Sequence, residues 1–519
     1  MPTNTSLSEQ IDPFKVEPGP ELVFGIVAPL GIDLNQMIKI LRDELQRVGY
    51  QSTLIRLSDL LNEVQGLNTK LKKKGPEDER IRSYMKAGTE VRSRTEVGGI
   101  LARLAVAAIQ REREKITGSA TRPDTRRAFI LRSLKHRDEI QDLRDVYGDG
   151  FISISAYAPK QKREWDLTNL LAKSKPGTDK AKLKTIAANL IETDEAEEGK
   201  ALGQNVEGAF PLADCFVEAS NRKSLRENLR RFIEILFGNH FLTPSRDEFG
   251  MYQAAATARR SADLSRQVGA ALATKEGEII ALGCNDTPKS GGGVYWSGDE
   301  PDGRDFELFG HDPSEQAKRE IFAETLERLK EAGLLKKQSP KRDSGKLADD
   351  LLSGQLKGAQ ITSLLEFGRV LHAEMGAITD AARRGVRTMD TVLYCTAFPC
   401  HLCARLIIAS GITRVVFIEP YPKSKTQNLY SDSVIVDKLD LVDDKVNFQA
   451  FVGVAPQRYD QLFRMNGKRK KQGGEAIHWE SSDASPRVRR FQATYISIET
   501  NVAAAIPNWL QGAGLSWEK

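Results

Sequence analysis

Apolar runs alternate with amphipathic segments along the first part of the chain. An apolar run at 22–31 precedes an amphipathic segment at 33–50, and a second apolar run follows at 52–57. Asp33, with Gln36 three residues later, is a helix-start signal of the capping-box type. Alternation of this kind predicts βαβ units and a parallel sheet. Further strands are predicted at 126–133, 150–159 and 213–219.

The pattern changes near residue 240. Ser245 followed by Glu248 forms a second capping-box signal, and a helical pattern continues from there to residue 260. Two apolar strands around a turn at 275–277 then predict a β-hairpin. The polar, glycine-rich and charged stretch at 286–366 is too long for a plain loop, so we predict a partly ordered insertion there.

Composition narrows the class of protein. A chain of 519 residues exceeds the size at which one hydrophobic core keeps growing, so two or three domains are expected. It has no apolar run of membrane-spanning length, and its first 20 residues lack the basic start and apolar centre of a secretion signal. The net charge of +5 comes from 76 basic and 71 acidic residues, a mixed surface that permits an anionic ligand without requiring nucleic acid. These features predict a cytoplasmic protein that has no membrane partner.

Two of the five cysteines form a close pair, Cys400 and Cys403. Five scattered cysteines are too few for a disulfide framework, and in a reducing compartment a close pair indicates metal or redox chemistry. The other three, Cys215, Cys284 and Cys395, are predicted to be small buried hydrophobic residues.

A metal-ligand pattern surrounds this pair. The letters H-A-E begin at His372, and the letters P-C-x-x-C contain Cys400 and Cys403. One imidazole and two thiolates fill three of the four tetrahedral positions of Zn²⁺ and leave the fourth open, as in catalytic zinc sites. Glu374 can reach a water molecule there without competing for the ion, which suits a proton carrier. A lone C-x-x-C is more often a structural half-site or a redox pair, but its combination with H-A-E favours the catalytic interpretation.

This pairing of motifs resembles the zinc-dependent nucleobase deaminases. Over about 250–285 and 367–421 the chain is similar to the deoxycytidylate deaminases. The segment VGAALATKEGEIIALGCN resembles their first hairpin, and Asn285 falls on the asparagine that holds the nucleotide sugar in that family. Arg266 lies in the stretch where the family gathers its basic contacts. The resemblance implies hydrolytic deamination of a free deoxycytidine nucleotide, with Glu374 moving the protons.

Over nearly its whole length the chain also resembles the bacterial anti-phage dCTP deaminases, which deplete deoxycytidine nucleotides during infection. The two-domain layout and the segments TPKSGGGVYW, GRDF and EPYPKS carry this resemblance. It implies dCTP and dCMP as substrates, dUTP and dUMP as products, one catalytic Zn²⁺ per subunit and a homo-oligomer. Mg²⁺ could accompany a triphosphate substrate. Toxin-like members of the group are held silent by a small RNA, so an inhibitory RNA is one candidate partner.

Further substrate contacts are predicted next to the zinc ligands. Backbone groups of Ala373 and Phe398 are placed to meet the edge of a cytosine ring. Lys289, followed by Ser290 and three glycines, could form a phosphate site from backbone amides and a cation, although a flexible solvent loop fits the same residues equally well. Tyr421 could close over the nucleotide or belong to the core.

The strand, turn and helix near the N-terminus resemble a P-loop, and the segment that follows is similar to the core of a small-molecule kinase. The motif nevertheless fails in detail. If Gly31 is the second glycine of the motif, the position that requires the first glycine holds Ile26, one residue after Gly25. The lysine and hydroxyl positions hold Ile32 and Asp33, so the phosphates of ATP would lose their cation. We therefore expect a degenerate kinase-like domain that has a structural role or binds a regulatory nucleotide, a partner or an RNA.

The predicted fold class is α/β, with a degenerate P-loop kinase-like domain followed by a three-layer αβα zinc cytidine-deaminase domain. The predicted boundaries are a flexible N-terminus at 1–20, the kinase-like domain at 21–237 and the deaminase domain at 238–519, with its insertion at about 286–366.

Two other functions stay open at this point. One is a housekeeping dCMP deaminase of nucleotide metabolism, and the other is a cytosine or adenine deaminase that acts on a polynucleotide. A polynucleotide enzyme should show a basic groove with stacking aromatic side chains. Beyond Phe398, the candidates for stacking near the site are Tyr295, Trp296 and Tyr421.

Overall fold

The computed structural model describes residues 19–197, 199–335, 343–356, 359, 367–420, 424–437, 442–465, 467–488 and 494–517. The chain divides into two compact units. Unit 1 contains Met1–Glu248 and Ala450–Lys519, and unit 2 contains Phe249–Gln449. The flexible segment predicted at 1–20 lies almost entirely outside the described residues, as does part of the insertion predicted at 286–366.

The helices and strands are numbered along the chain. The strands are β1 Leu22–Val27, β2 Gln51–Arg56, β3 Val64–Gln65, β4 Arg127–Leu134, β5 Phe151–Tyr157, β6 Cys215–Glu218, β7 Gly269–Ala273, β8 Ile279–Cys284, β9 Val392–Ala397, β10 Arg414–Glu419, β11 Val434–Val436, β12 Val446–Ala450, β13 Gly453–Val454 and β14 Ser516–Trp517. The α-helices are α1 Leu34–Arg47, α2 Leu57–Leu60, α3 Glu77–Thr95, α4 Ile100–Thr117, α5 Arg137–Tyr147, α6 Lys160–Ser174, α7 Lys180–Glu195, α8 Val206–Ala209, α9 Arg222–Leu236, α10 Arg246–Ala258, α11 Asp305–Leu308, α12 Pro313–Glu331, α13 Ser344–Ser353, α14 Ala373–Arg383, α15 His401–Ala409, α16 Thr426–Leu429, α17 Tyr459–Phe463 and α18 Thr494–Gly512. None of the helices in the described ranges is both long and apolar enough to cross a bilayer.

Unit 1 is built on a sheet of strand order β13-β6-β5-β1-β4-β2. Five of these strands are parallel to their neighbours, and only β13 is antiparallel to the strand beside it. Every residue of β1 is buried, as expected for the central strand of a parallel sheet whose two faces are covered. The predicted parallel sheet is confirmed, and β4, β5 and β6 lie where strands were predicted.

The turn between β1 and α1 contains the P-loop-like glycine Gly31, which has a φ of +99°. Gly25, by contrast, lies inside β1. A Cβ atom there would lie 2.6 Å from a side-chain carbon of Leu134 and 2.8 Å from the ring of Phe151, so this glycine serves the packing of the sheet. The predicted cap of α1 is confirmed, because Asp33 accepts a hydrogen bond from the backbone N–H of Gln36 at 3.0 Å.

The residues after 450 complete unit 1. β13 pairs with β6, placing Val454 opposite Cys215 and so covering the edge of the parallel sheet. Farther along, α18 packs on α4, and β14 pairs with β3. The predicted domain at 238–519 differs from this division, in which 450–519 lies in unit 1. The reason is that a two-residue edge strand and a returning helix leave no signal in the local pattern of apolar residues.

A buried ion-pair network joins α18 to α4 and to the start of β1. The Arg113 side chain on α4 is fully buried, with Nη2 lying 2.7 Å from Oε2 of Glu21 and Nη1 lying 2.6 Å from Oε2 of Glu499. The hydroxyl of Tyr495 donates to Glu21 at 3.1 Å. Buried charges of opposite sign stabilise one another, because removal of the cation or of a carboxylate leaves the remaining charge buried without a partner.

We expect Arg113→Met to lower the free energy of unfolding of unit 1 by about 3–5 kcal/mol, because Glu21 and Glu499 lose their shared cation. Urea denaturation followed by circular dichroism measures this change. Lys115→Met, on the same helix, removes an exposed ion pair with Glu112 and should cost no more than about 1 kcal/mol. Similar small costs for both variants would show that the buried network does not hold the C-terminal helix.

Unit 2 is built on a sheet of strand order β11-β12-β10-β9-β7-β8. β7 and β8 form the predicted antiparallel hairpin, and β9 pairs with β7 antiparallel and with β10 parallel. The capping box at Ser245, at the end of the first stretch of unit 1, is also confirmed. The hydroxyl of Ser245 accepts from the N–H of Glu248 at 3.1 Å, and the carboxylate of Glu248 accepts from the N–H of Ser245 at 2.7 Å.

Two glycines place helices on both faces of the β7–β8 hairpin. A Cβ on Gly269 would lie 1.9 Å from the carbonyl oxygen of Ala254 in α10, and a Cβ on Gly283 would lie 2.1 Å from that of Ala373 in α14. Gly269 pairs with Cys284, the neighbour of Gly283 along the strand. Because adjacent strand residues face opposite sides, α10 and α14 cover opposite faces. This part of unit 2 therefore has the predicted helix–sheet–helix layers.

Candidate zinc centre

The starts of two helices meet at one point in unit 2. His372 is the residue that precedes α14, and Cys400 is the residue that precedes α15. Cys403 follows in the first turn of α15, and β9 leads directly into this turn. The predicted metal ligands are thus held at the starts of two helices, one of which precedes β9 in the chain and one of which follows it.

The three predicted ligands lie close together. The Sγ atoms of Cys400 and Cys403 are 3.7 Å apart, and Nδ1 of His372 lies 3.4 Å from the first and 3.2 Å from the second. Around a tetrahedral zinc ion, Zn–S bonds of about 2.3 Å and Zn–N bonds of about 2.0–2.1 Å separate two sulfurs by about 3.8 Å, and a sulfur and a nitrogen by about 3.6 Å. The observed separations and the donor set therefore fit a zinc ion.

The electrostatics of the two thiols are linked. A hydrogen bond from Cys403, together with the His372 imidazole, lowers the pKa of Cys400 to about 4. The same hydrogen bond and burial raise the pKa of Cys403, and the hydrogen bond to Cys400 raises the pKa of His372. The metal-free cluster therefore holds protons that a dication would displace, so metal binding should release protons and strengthen as the pH rises.

Glu374 lies in the first turn of α14, two residues after His372, and is buried. Burial raises the pKa of its carboxyl group, and the neighbouring His372 opposes that shift only in part. A raised pKa lets a carboxyl group hold a proton more readily than an ordinary carboxylate does, which suits a general acid–base.

A cavity of about 190 Å³ lies over this cluster. Its walls include His372, Glu374 and Cys400, together with four other residues that the sequence analysis singled out: Arg266, Asn285, Ala373 and Phe398. The three glycines after Ser290 and the side chain of Lys289 do not line this cavity among the described residues.

Asn285 is a positioning element within the cavity wall. Its side-chain oxygen accepts from the N–H of Val268 at 2.6 Å, and its side-chain nitrogen donates to the carbonyl of Arg266 at 2.7 Å. These bonds fix the entry to β7. The Arg266 side chain is half exposed, and its Nη1 lies 3.7 Å from a carboxylate oxygen of Glu419.

Phe398 and Ala373 lie beside the ligands, as predicted. The ring of Phe398 packs edge-on against Phe417, with 4.8 Å between centroids, and lies 5.4 Å from Phe448. The N–H of Phe398 already donates to the carbonyl of Glu419 at 2.8 Å, so the backbone group of Phe398 left for a ligand is its carbonyl. Ala373 is buried at the start of α14.

Several predicted contacts fall elsewhere. Lys289 pairs with Asp299 at 2.9 Å, and its Nζ lies 5.6 Å from the ring centre of Tyr295. Trp296 is exposed and stacks on the guanidinium of Arg260, with 3.3 Å between that group and the ring centre. Tyr421 lies outside the described residues. Cys215, Cys284 and Cys395 are buried, as predicted.

The insertion contributes residues that sequence reasoning missed. Asp312 and Ser314, at the start of α12, line the cavity, as does Arg369, three residues before His372. The guanidinium of Arg369 donates to the carboxylate of Asp305 at 2.6 Å and to the carbonyl of Gly303 at 3.3 Å. The adjacency of Arg369 to the H-A-E motif was a usable signal. The approach of the start of α12 to the cavity had no signal, because Asp312 and Ser314 are far along the chain from the zinc ligands.

Residues 244–419 match the family model described as the cytidine and deoxycytidylate deaminase zinc-binding region. All of the predicted ligands and Glu374 fall inside this region. The matched residues make up about a third of the chain, and the match does not extend to the N-terminal part or to residues 450–519.

Individual relatives agree over shorter stretches. The deoxycytidylate deaminase of Enterobacteria phage T2 is 44% identical over 55 residues, which are 11% of this chain and 29% of the phage protein. A probable deoxycytidylate deaminase of Drosophila melanogaster is 26% identical over 176 residues, 33% of this chain and 58% of that protein. The chain thus spans under a third of the phage relative. A solved dCMP deaminase from cyanophage S-TIM5, in complex with dCMP and dUMP, is 19% identical with a TM-score of 0.23, over 40% of this chain and 99% of that one.

We expect His372→Ala and Cys400→Ser to lose bound metal, from about one zinc ion per chain to nearly none, because each removes one of three protein ligands. Metal analysis of the purified variants measures this loss. Cys395→Ala is the matched control, since Cys395 is a buried cysteine of β9 outside the cluster, and it should keep its zinc. Full zinc occupancy in both ligand variants would show that the ion binds elsewhere.

Proposed function

We propose that this protein is a zinc-dependent hydrolase that deaminates a free deoxycytidine nucleotide, dCTP, dCMP or both. The observation that carries the proposal is the cavity that brings the ligand cluster and Glu374 together with the basic side chains of Arg266 and Arg369. The two arginines supply positive charge for a small anionic substrate, and the same wall also carries the carboxylates of Asp263 and Asp312. The match to the deaminase zinc-binding region supports the same chemistry.

The residues of this chain divide the work as follows. His372, Cys400 and Cys403 would hold the zinc ion, which when bound makes water a nucleophile near neutral pH. Glu374 would take a proton from water, pass it to the ring nitrogen of cytosine and then protonate the departing amine. Its buried position keeps bulk water away from these transfers. Ala373 and the carbonyl of Phe398 would meet the edge of the base, and Asn285 would lie beside the sugar.

The finer assignment rests on the sequence resemblance. We propose that dCTP is a substrate and that its conversion depletes the deoxycytidine nucleotide pool during phage infection. In that role the protein would act as a homo-oligomer with one zinc ion per subunit, and Mg²⁺ could accompany the triphosphate. The N-terminal region would have a regulatory role as a degenerate P-loop kinase-like domain, with a nucleotide or a small RNA as its ligand.

The decisive assay incubates purified, zinc-loaded protein with dCTP, dCMP, CTP, dATP and single-stranded DNA and measures ammonia release and product mass. We expect release from dCTP or dCMP and none from DNA. Glu374→Ala should lower turnover by at least about 100-fold while zinc stays bound, because the carboxylate moves protons and is not a ligand. Near-wild-type turnover in that variant would exclude the mechanism. Activity on DNA alone would support the polynucleotide alternative, in which the exposed Trp296–Arg260 stack offers a base platform.

Arg369 positions the wall of the cavity that the insertion supplies. We expect Arg369→Gln to raise KM about 10-fold or more with a smaller change in kcat, because the lost charged hydrogen bond to Asp305 loosens the wall but leaves the reacting groups in place. Asp305→Asn should show the same split between KM and kcat. Arg387→Gln is the control, since Arg387 is exposed, pairs with the exposed Asp390 and does not line the cavity, so its kinetics should not change. An equal loss of kcat in the Arg369 variant would place this residue at the reaction itself.

A further inference from the structure

The turn between β1 and α1 lies at the topological switch point of the sheet in unit 1. The chain leaves β1 through α1 toward β2, on one side, and leaves β4 through α5 toward β5, on the other. The two connections therefore leave the neighbouring strands β1 and β4 in opposite directions. In open parallel sheets, the crevice at the carboxyl ends of such a pair is the usual ligand-binding position.

An anionic group of the chain itself occupies this crevice. One carboxylate oxygen of Asp194, near the end of α7, accepts a hydrogen bond from the backbone N–H of Leu30 at 2.8 Å. The ammonium of Lys135, just after β4, lies 2.8 Å and 2.9 Å from the two carboxylate oxygens and donates to the carbonyl of Ala28 at 2.8 Å. Asp194 is 1% exposed, so its charge depends on these partners.

The α6–α7 hairpin holds Asp194 in place over the turn. Leu30 packs against the small core between the two helices, which contains Leu167 and Leu190. Gly31 faces the backbone of Arg163 in α6, where an added Cβ would lie 2.5 Å from the carbonyl oxygen. The α6–α7 hairpin therefore packs closely on the turn. If the Asp194 carboxylate moves away from the turn, the hairpin must move with it.

The groups around Asp194 are those that bind phosphate in other proteins. A backbone N–H after a buried strand and a lysine ammonium give a donor and a cation aimed at one point. Lys135 supplies from β4 the cation that the turn itself lacks, since Ile32 stands at the P-loop lysine position. Backbone irregularity marks the same end of the strands, with Ser133 at a φ of +75° and a register shift at Val27.

We propose that the crevice formed by the β1–α1 turn and Lys135 is an anion-binding site for the phosphate group of a small phosphorylated ligand, and that Asp194 is its built-in occupant. A phosphate enters this site only by displacing the Asp194 carboxylate, which releases the α6–α7 hairpin from the turn. The inference deepens the regulatory role proposed for the N-terminal region and rests on that role, but it does not depend on the deaminase assignment.

The test removes the built-in occupant and supplies an external one. Asp194→Asn should have a lower melting temperature than the wild type, because Lys135 loses its partner. Inorganic phosphate or pyrophosphate should then raise the melting temperature of Asp194→Asn by about 2–4 °C more than that of the wild type at equal ionic strength. The double variant Asp194→Asn, Lys135→Met should lose this extra response. Glu499→Gln is the control, since its partner Arg113 is fully buried and closed to added anions, so it should be destabilised without phosphate rescue.

Equal responses to phosphate in the wild type, Asp194→Asn and the double variant would overturn the proposal, as would the absence of any rescue in Asp194→Asn. If Asp194→Asn is insoluble, its yield of soluble protein is compared between purification in phosphate buffer and purification in chloride buffer. Soluble protein in phosphate alone supports the site, and insoluble protein in both buffers overturns it. Calorimetric titration of Asp194→Asn then compares the affinities for pyrophosphate, ATP and dCTP. Tighter binding of ATP or dCTP would identify a nucleotide as the ligand, and equal affinities would identify a site that binds the phosphate group alone.

Discussion

The candidate site depends on one constraint: the starts of two helices must lie close enough for their side chains to bind the same zinc ion. His372 and Cys400 each precede a helix, and Cys403 lies one turn further along. Their separations of 3.2–3.7 Å require α14 and α15 to stay in fixed register on the sheet of unit 2. The glycine contact between β8 and α14 maintains that register, because a side chain at Gly283 would push the helix away and open the cluster.

The cavity over this cluster is assembled from distant parts of the chain. The hairpin entry supplies Arg266 and Asn285, the motifs supply His372 and Glu374, and the insertion supplies the wall that Arg369 holds. A core of regular structure thus carries the chemistry, while irregular segments shape the opening. This separation is common in enzymes, in which a rigid scaffold presents loops that select the substrate.

Unit 1 uses charge inside its structure in two different ways. The Arg113 network is closed, with two carboxylates and one guanidinium fully buried and mutually satisfied. The Lys135–Asp194 pair lies instead at the carboxyl ends of the strands of a parallel sheet, which is where ligands bind in open sheets of this kind. The Arg113 network joins the C-terminal helix to the rest of unit 1. The Lys135–Asp194 pair places the Asp194 carboxylate where the phosphate of a ligand would bind.

The sequence by itself determined the local structure and the chemistry of the site. Apolar spacing and capping signals located the strands, the hairpin and the starts of helices such as α1 and α10, because these features depend on neighbours within a few residues. The residue types at 372, 374, 400 and 403 indicated a zinc site, because the spacing within H-A-E and within C-x-x-C is local, although the approach of the two motifs is tertiary. Only the tertiary structure decided that 450–519 returns to unit 1, that Lys289 pairs with Asp299 outside the cavity, that Arg369 and α12 form its wall, and that Asp194 fills the turn after β1. Apart from the pairing of Lys289 with Asp299, each of these depends on residues far apart in the chain, whose approach is governed by tertiary packing and by charge pairing rather than by any local pattern.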